Sequence, residues 1–262
     1  MATECGGFGN DGDVQSLRQR WDQGDTVVGG WISIANTLTA EVMATAGFDY
    51  VCVDNQHGVI DYSDTPASLQ VLGLGESVPL ARAPWNEPGV IGKMLDAGAH
   101  GVIVPMVNSV DEAKAAVAAC RYAPNGSRSY GPTAVGGRHH NYFEWANANV
   151  LCIPMIETAE ALSSLDEILG VTGIDAVYVG PADMSVSLGL PPGNNDNDPR
   201  FVDALNSVVA ACLRHGVTPG IHATPELVER REEMGFRMIT AVSDIGALRS
   251  GLGQAAGPAG YR

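Results

Sequence analysis

The chain has 262 residues, with 15 Lys plus Arg against 30 Asp plus Glu, for a formal net charge of −15. Such a surface repels phosphate backbones and anionic headgroups, and no Lys/Arg cluster interrupts it, so neither nucleic acid nor a membrane is an expected partner. A small anionic substrate is not excluded, because one Arg and a metal ion can bind a carboxylate inside an acidic protein.

Hydrophobic residues at 45% and charged residues at 17% are globular values, and this length suits one α/β barrel. The cysteines (Cys5, Cys52, Cys120, Cys152, Cys212) are odd in number and never form a CxxC pair, which argues against a disulfide scaffold or a zinc knuckle. The opening MATECGGFGNDGD lacks the basic and apolar regions of a signal peptide, and no run of about 18 apolar residues exists. The expectation is a cytoplasmic protein with a flexible segment 1–12 and a single domain 13–262.

In chain order, a leading helix near 14–22 precedes a strand at 27–33 and a Thr-capped helix at 39–47. Strands at 50–54, 78–83 and 101–106 alternate with helices at 64–73, 87–98 and 109–121. Strands at 150–157, 176–180, 217–221 and 236–241 follow, with helices at 158–170, 198–216, 224–235 and 243–256. The strands are apolar and β-branched rather than alternating, as in parallel strands covered on both faces. Alternation repeated eight times predicts a (β/α)8 TIM barrel with an extra N-terminal helix. A doubly wound open sheet is the alternative, but no GxGxxG follows the first strand. Residues 122–149 and 181–197 read as long connections, the first with the Arg, His and aromatic content of a functional or interface loop.

Active sites of such barrels lie at the C-terminal strand ends. The second strand ends in Asp54-Asn55-Gln56-His57 and the third in Arg82-Ala83-Pro84-Trp85. The fifth ends in Glu157-Thr158 and the sixth in Gly180-Pro181-Ala182-Asp183. Glu157 and Asp183 suit a hard divalent cation such as Mg²⁺ or Mn²⁺, or else each caps the helix after it. His57 reads as a general base or as a structural histidine. Arg82 needs a partner in its apolar run, and its fork suits a carboxylate or an enolate. Asp96 sits late in a helix against the dipole, which suggests a partner such as His57, a solvated Asp being the alternative. His139 and His140 read as loop or interface residues, His100 and His215 as helix-closing residues, and His222 as a candidate for the rim.

These residues, with the stretches TAEVMATAGFDYVCVDNQHG, PLARAPWNEPGVIGKMLDAGAHGVIVPM, MIETAEAL and VYVGPADMSVSLG, resemble the HpcH/HpaI aldolases from about Gly30 to Leu252. The resemblance implies a metal-dependent pyruvate-type aldolase that cleaves or forms a 4-hydroxy-2-oxo acid, with pyruvate or a related 2-oxo acid and an aldehyde as its small-molecule partners. It implies Glu157 and Asp183 as ligands of Mg²⁺, Mn²⁺ or Co²⁺, backbone at Ala182 and Asp183 cradling the substrate carboxylate, and Arg82 at the enolate oxygen. It also implies His57, held by Asp96, as acid/base, and Asp54 as the residue orienting that loop. Gln56 stands where members commonly carry Glu, and Met155 where many carry Gln beside the metal, so Met155 is a candidate for the substrate wall. The segment RSYGP (128–132) also resembles macrophomate synthase and the more distant citrate lyase β-subunits, so an oxaloacetate decarboxylase or C–C bond enzyme is the second reading. A ligand-binding barrel without turnover is the third. The resemblance further implies a homo-oligomer, a hexamer built as a trimer of dimers, with the C-terminal helix exchanged between protomers.

Overall fold

The structure, a computed structural model, describes residues 14–139 and 141–257; the expectations for residues 1–12, for Cys5 and for His140 lie outside them. Among the described residues, eight parallel strands form one sheet: β1 (Val27–Ile32), β2 (Tyr50–Asp54), β3 (Val78–Arg82), β4 (Gly101–Val104), β5 (Leu151–Pro154), β6 (Ala176–Val179), β7 (Thr218–His222) and β8 (Met238–Ser243). Their order is β5-β4-β3-β2-β1-β8-β7-β6. The two ends meet through a parallel bridge between Met155 and Tyr178, with Ile156 N–H donating to Tyr178 O at 3.0 Å, and this contact closes the barrel. Closure rules out the open doubly wound sheet. The strands β2 to β6 are buried at every residue, which is why their sequences run apolar without alternation.

Helices α1 (Val14–Asp22), α2 (Thr37–Ala44), α3 (Thr65–Leu72), α4 (Pro88–Ala97) and α5 (Val110–Cys120) fall where the sequence places them. Two further helices occupy segments that read as loops. One is α6 (Tyr142–Asn149), capped by Asn141; the other is α9 (Pro181–Ser187), opened by a proline in its first turn. Both are too short to show helical periodicity, and the first is built from aromatic and Asn residues that carry little helix signal. The expected helix 158–170 is divided at Ser164 into α7 (Ala159–Ser163) and α8 (Leu165–Leu169). The remaining helices are α10 (Pro199–His215), α11 (Val228–Glu233), preceded by a 3₁₀ turn, and α12 (Asp244–Ala256).

Two apolar layers result. One lies between strands and helices; the other fills the barrel lumen with Trp31, Tyr50, Leu80, Ile153, Tyr178 and their neighbours. Leu17 and Trp21 of α1 pack against the lumen cluster and close its N-terminal end. Beside them Arg18 pairs with Asp175 at 2.7 Å, and Arg121 approaches the same carboxylate at 3.6 Å. Residues 122–139 run from the end of α5 toward β5, so they wrap this N-terminal face, not the rim where the strands end. Of the two expected roles, functional or interface, this placement away from the rim leaves the interface one. Arg128 is buried beneath Tyr122 and Tyr142, and the His139 ring stacks on Trp145 at 3.9 Å.

Tyr50 fills the lumen because Gly29 faces it. A Cβ at Gly29 would stand 2.1 Å from Tyr50 Cζ, inside van der Waals contact. Gly29→Ala is expected to destabilise the protein by at least about 1–3 kcal/mol through overpacking. Urea unfolding followed by circular dichroism measures it, and an unchanged midpoint would show that the lumen can shift to admit the methyl group.

Candidate active site

The register of β2 against β3 sets Asp54 beside Arg82, the last residue of each strand. The two form a buried fork: Arg82 Nε donates to Asp54 Oδ1 at 2.9 Å and Nη2 to Oδ2 at 2.7 Å. Trp31 Nε1–H donates to the same Oδ2 at 3.1 Å, and the backbone N–H groups of Gln56 and His57 donate to Oδ1 at 3.0 and 3.2 Å. Burial works against the Asp54 charge, but the Arg82 guanidinium and the other donors outweigh it and hold the carboxyl below its usual range. Arg82 Nη1 takes no part in the fork, so its two N–H groups are what Arg82 can offer a ligand.

Glu157 follows β5 and is 2% exposed. Its Oε1 accepts from Met106 N–H at 2.8 Å. Met106 has φ of 55°, the one non-glycine residue with positive φ among the described residues, and such backbone strain concentrates at functional sites. Glu157 Oε2 is buried without a partner. It lies over Gly180, where a Cβ would come within 2.4 Å of it. Burial, with the Asp183 charge adding to it, raises the Glu157 carboxyl to about 7. Asp183 stands exposed in the first turn of α9. Neither acid caps the helix that follows it: Thr158 caps α7, and α9 has no side-chain cap. An unpartnered carboxylate oxygen in a glycine cradle, with a second carboxylate beside it, fits a hard divalent cation. Such ions are held by one or two carboxylates, with water and substrate oxygens completing the shell.

A cavity of about 310 Å³ opens at this rim, and Arg82, Asp183, Ala182, Met155 and His57 line it. Its walls include His222, expected at the rim, and also Trp31, Tyr178, Gly193 and Asn194, which the strand-end reading did not assign. Trp31 stacks on Tyr178 at 5.6 Å, carries the Arg82 guanidinium over its ring at 5.0 Å, and meets the His222 ring edge-on at 5.2 Å. Burial and the nearby Arg82 charge lower His222 to about 4, so this ring is neutral. Gly193 and Asn194 complete the wall. They are tethered by the buried Arg231, which donates to Asn194 Oδ1 at 2.9 Å and to Asp196 Oδ1 at 2.7 Å. Alternation could have found Trp31 and Tyr178, since each stands one residue before the last of its strand, on the side that faces the lumen. No local signal marks Asn194.

Asp96 lies away from the rim of its own chain. The expected contact with His57 is not made within this chain. Asp96 sits in the last turn of α4, and eight residues of helix from Pro88 carry it about 12 Å from the end that follows β3. Its Oδ1 accepts from Arg128 Nη2 at 2.6 Å on the opposite face of the barrel. That partner also answers the dipole puzzle, since the carboxylate is neutralised where it opposes the helix.

The family model for HpcH/HpaI aldolase/citrate lyase matches residues 28–249. The chain belongs to this family. A hydroxypyruvate/pyruvate aldolase of Rhizorhabdus wittichii is 36% identical over 242 residues, 90% of this chain and 94% of that protein. A 4-hydroxy-2-oxo-heptane-1,7-dioate aldolase of Salmonella heidelberg is 36% identical over 229 residues, 86% of each chain. A crystal structure of an HpcH/HpaI aldolase/citrate lyase family protein from Burkholderia cenocepacia superposes with a TM-score of 0.86 at 31% identity, covering 94% of this chain and 99% of that one.

Breaking the Asp54–Arg82 fork in this HpcH/HpaI barrel leaves a buried guanidinium unpaired. Asp54→Asn is expected to lower stability at pH 7 by about 3–5 kcal/mol, measured by urea unfolding. Because the folded carboxyl is held low, its contribution is present above the unfolded value near 3.8 and is lost as pH falls through the folded value. The acid limb of the stability curve below about pH 4 is therefore expected to be shallower in the variant.

Proposed function

We propose that the chain is a divalent-cation-dependent aldolase that cleaves and forms 4-hydroxy-2-oxo acids, with pyruvate or a related 2-oxo acid and an aldehyde as the other partners. The observation that carries this reading is the buried, unpartnered Glu157 Oε2 against Gly180, a wall residue of the cavity that Asp183, Arg82 and His57 line. Glu157 and Asp183 would hold the cation. When bound there, Mg²⁺, Mn²⁺ or Co²⁺ would polarise the 2-oxo carbonyl and favour charge on its oxygen.

The chain's own residues supply the rest. The free N–H groups of Arg82 Nη1 meet the developing enolate oxygen, and the Asp54 fork fixes them before substrate arrives. The backbone N–H groups of Ala182 and Asp183 belong to the first turn of α9 and have no intrahelical acceptor, so they suit the substrate carboxylate. His57 is exposed at the cavity mouth and takes the proton from the methyl carbon or returns it. Its main chain is fixed by Asp54, which gives Asp54 the loop-orienting role. Met155, 1% exposed, forms the apolar wall beside Gly180. No Schiff-base lysine is at hand: Lys93 lies over the Tyr62 ring at 4.6 Å on α4, and Lys114 is exposed on α5.

A homo-oligomer, a trimer of dimers, and a cytoplasmic setting belong to the same reading. Leu248 and Leu252, exposed on α12, support association of copies. No helix among the described residues is long and apolar enough to cross a membrane, and the four described cysteines are buried free thiols.

Retro-aldol cleavage of 4-hydroxy-2-oxo acids, assayed by coupled reduction of the released pyruvate, is expected with Mg²⁺, Mn²⁺ or Co²⁺ and abolished by EDTA. Activity that persists in EDTA or in Glu157→Ala would sink the reading. Carbon dioxide released from oxaloacetate, with no cleavage of 4-hydroxy-2-oxo acids, would favour the decarboxylase instead. Cation binding without turnover or proton exchange would favour a ligand-binding barrel. Arg82→Ala is expected to cost a factor of about 10²–10³ in turnover. His57→Ala is expected to slow deuterium exchange at the pyruvate methyl group by about 10²–10⁴-fold, read by proton NMR.

A further inference from the structure

His222 is the last residue of β7 and lines the cavity, yet the chemistry above makes no use of it. Its hydrogen bonding fixes where its proton sits. Tyr178 O–H donates to Thr240 Oγ1 at 2.6 Å, deep in the lumen. A phenol has one proton, so at the 3.2 Å contact with His222 Nδ1 the Tyr178 oxygen accepts, and Nδ1 carries the hydrogen. The ring is neutral, so Nε2 keeps a bare lone pair. Among the described residues Nε2 makes no hydrogen bond, and it is not one of the buried unpartnered atoms, so it opens on the cavity. Trp31, edge-on to the ring at 88°, holds its plane from a second side.

The neighbouring groups make this acceptor selective. Arg82 presents N–H donors, and Asn194, with its Oδ1 taken by Arg231, presents its NH₂. His222 Nε2 is the neutral acceptor among them. We propose that His222 is a specificity-determining residue whose Nε2 accepts a hydrogen bond from a hydroxyl on the substrate chain, an inference that rests on the aldolase reading. That hydroxyl belongs either to C3 of a hydroxylated 2-oxo acid or to the carbon next to the aldehyde of the acceptor. A substrate pair without a hydroxyl leaves Nε2 desolvated and unpaired, which is how a polar site rejects an apolar analogue. Tyr178 is a positioning residue, acting through the His222 tautomer.

Two measurements on the full-length, cation-loaded protein test this. The first is ¹⁵N NMR of histidine-labelled protein, with the His222 signals identified by their loss in His222→Leu. Wild type is expected to show protonated Nδ1 and unprotonated Nε2, and Tyr178→Phe to lose that preference; a proton on Nε2 in wild type would overturn the proposal. The second is kcat/KM for pyruvate with propanal, pyruvate with glycolaldehyde, and hydroxypyruvate with propanal. His222→Leu is expected to lower the ratio of a hydroxylated to the non-hydroxylated pair by about tenfold or more, with partial recovery in His222→Asn, whose carbonyl can accept. The pair that loses ground identifies which hydroxyl is read. Equal changes in all three pairs would overturn the assignment. No turnover of any pair by wild type would instead overturn the aldolase reading, and the specificity assignment with it.

Discussion

Five hydrogen bonds converge on the Asp54 carboxylate, and the rim is built around them. Their donors come from the two strands that flank β2, β1 through Trp31 and β3 through Arg82, and from the loop that carries His57. A buried ion pair is a poor source of net stability, because desolvation consumes most of the Coulomb gain. Its value here is geometric. Once the pair is buried, Arg82 cannot swing, and Trp31 is fixed from its indole nitrogen. The position of His57 is then fixed from its own main chain.

The same pairing sets the charge of the cavity. Asp54 cancels Arg82, so among the described residues neither Asp183 nor Glu157, its carboxyl raised to about 7, has an ion-pair partner. The barrel keeps Glu157 buried with one oxygen satisfied by a strained backbone N–H and the other by nothing within the chain. Such a site is poorly matched to an anion until a cation is present, and well matched to a chelating anion afterwards. On the proposed reading, a cation held there would reverse the sign over a few ångströms only, and a protein of net charge −15 would need no basic surface to take an anionic substrate.

Much of this was legible in the chain before folding. Buried parallel strands announce themselves as uninterrupted apolar runs, and all eight expected strands are present among the described residues, with β8 displaced by two residues from 236–241 to Met238–Ser243. Strand ends in such a barrel share one rim, so Asp54, Arg82, Glu157 and Asp183 could be gathered without knowing any contact. What one strand's pattern does not contain is register, and register is what pairs Asp54 with Arg82. Short helices escaped for a related reason: α6 and α9 hold two turns or so, too few for a period to emerge. The partner of Asp96 within the chain was not legible, because its helix position pointed to some cation without saying which, and Arg128 reaches it across 32 positions of sequence. Of the wall residues, His222 was legible from its place after the seventh strand, and Trp31 and Tyr178 from strand alternation, whereas Asn194 is held by Arg231 across 37 positions, which no local pattern encodes.

Gly29 gives up its side chain so that the Tyr50 ring can occupy the barrel axis, and α1 stoppers the end beneath it. The cavity above is therefore a blind alley with one doorway. Anything that binds there enters and leaves by the rim, because a tyrosine has filled the back of the room.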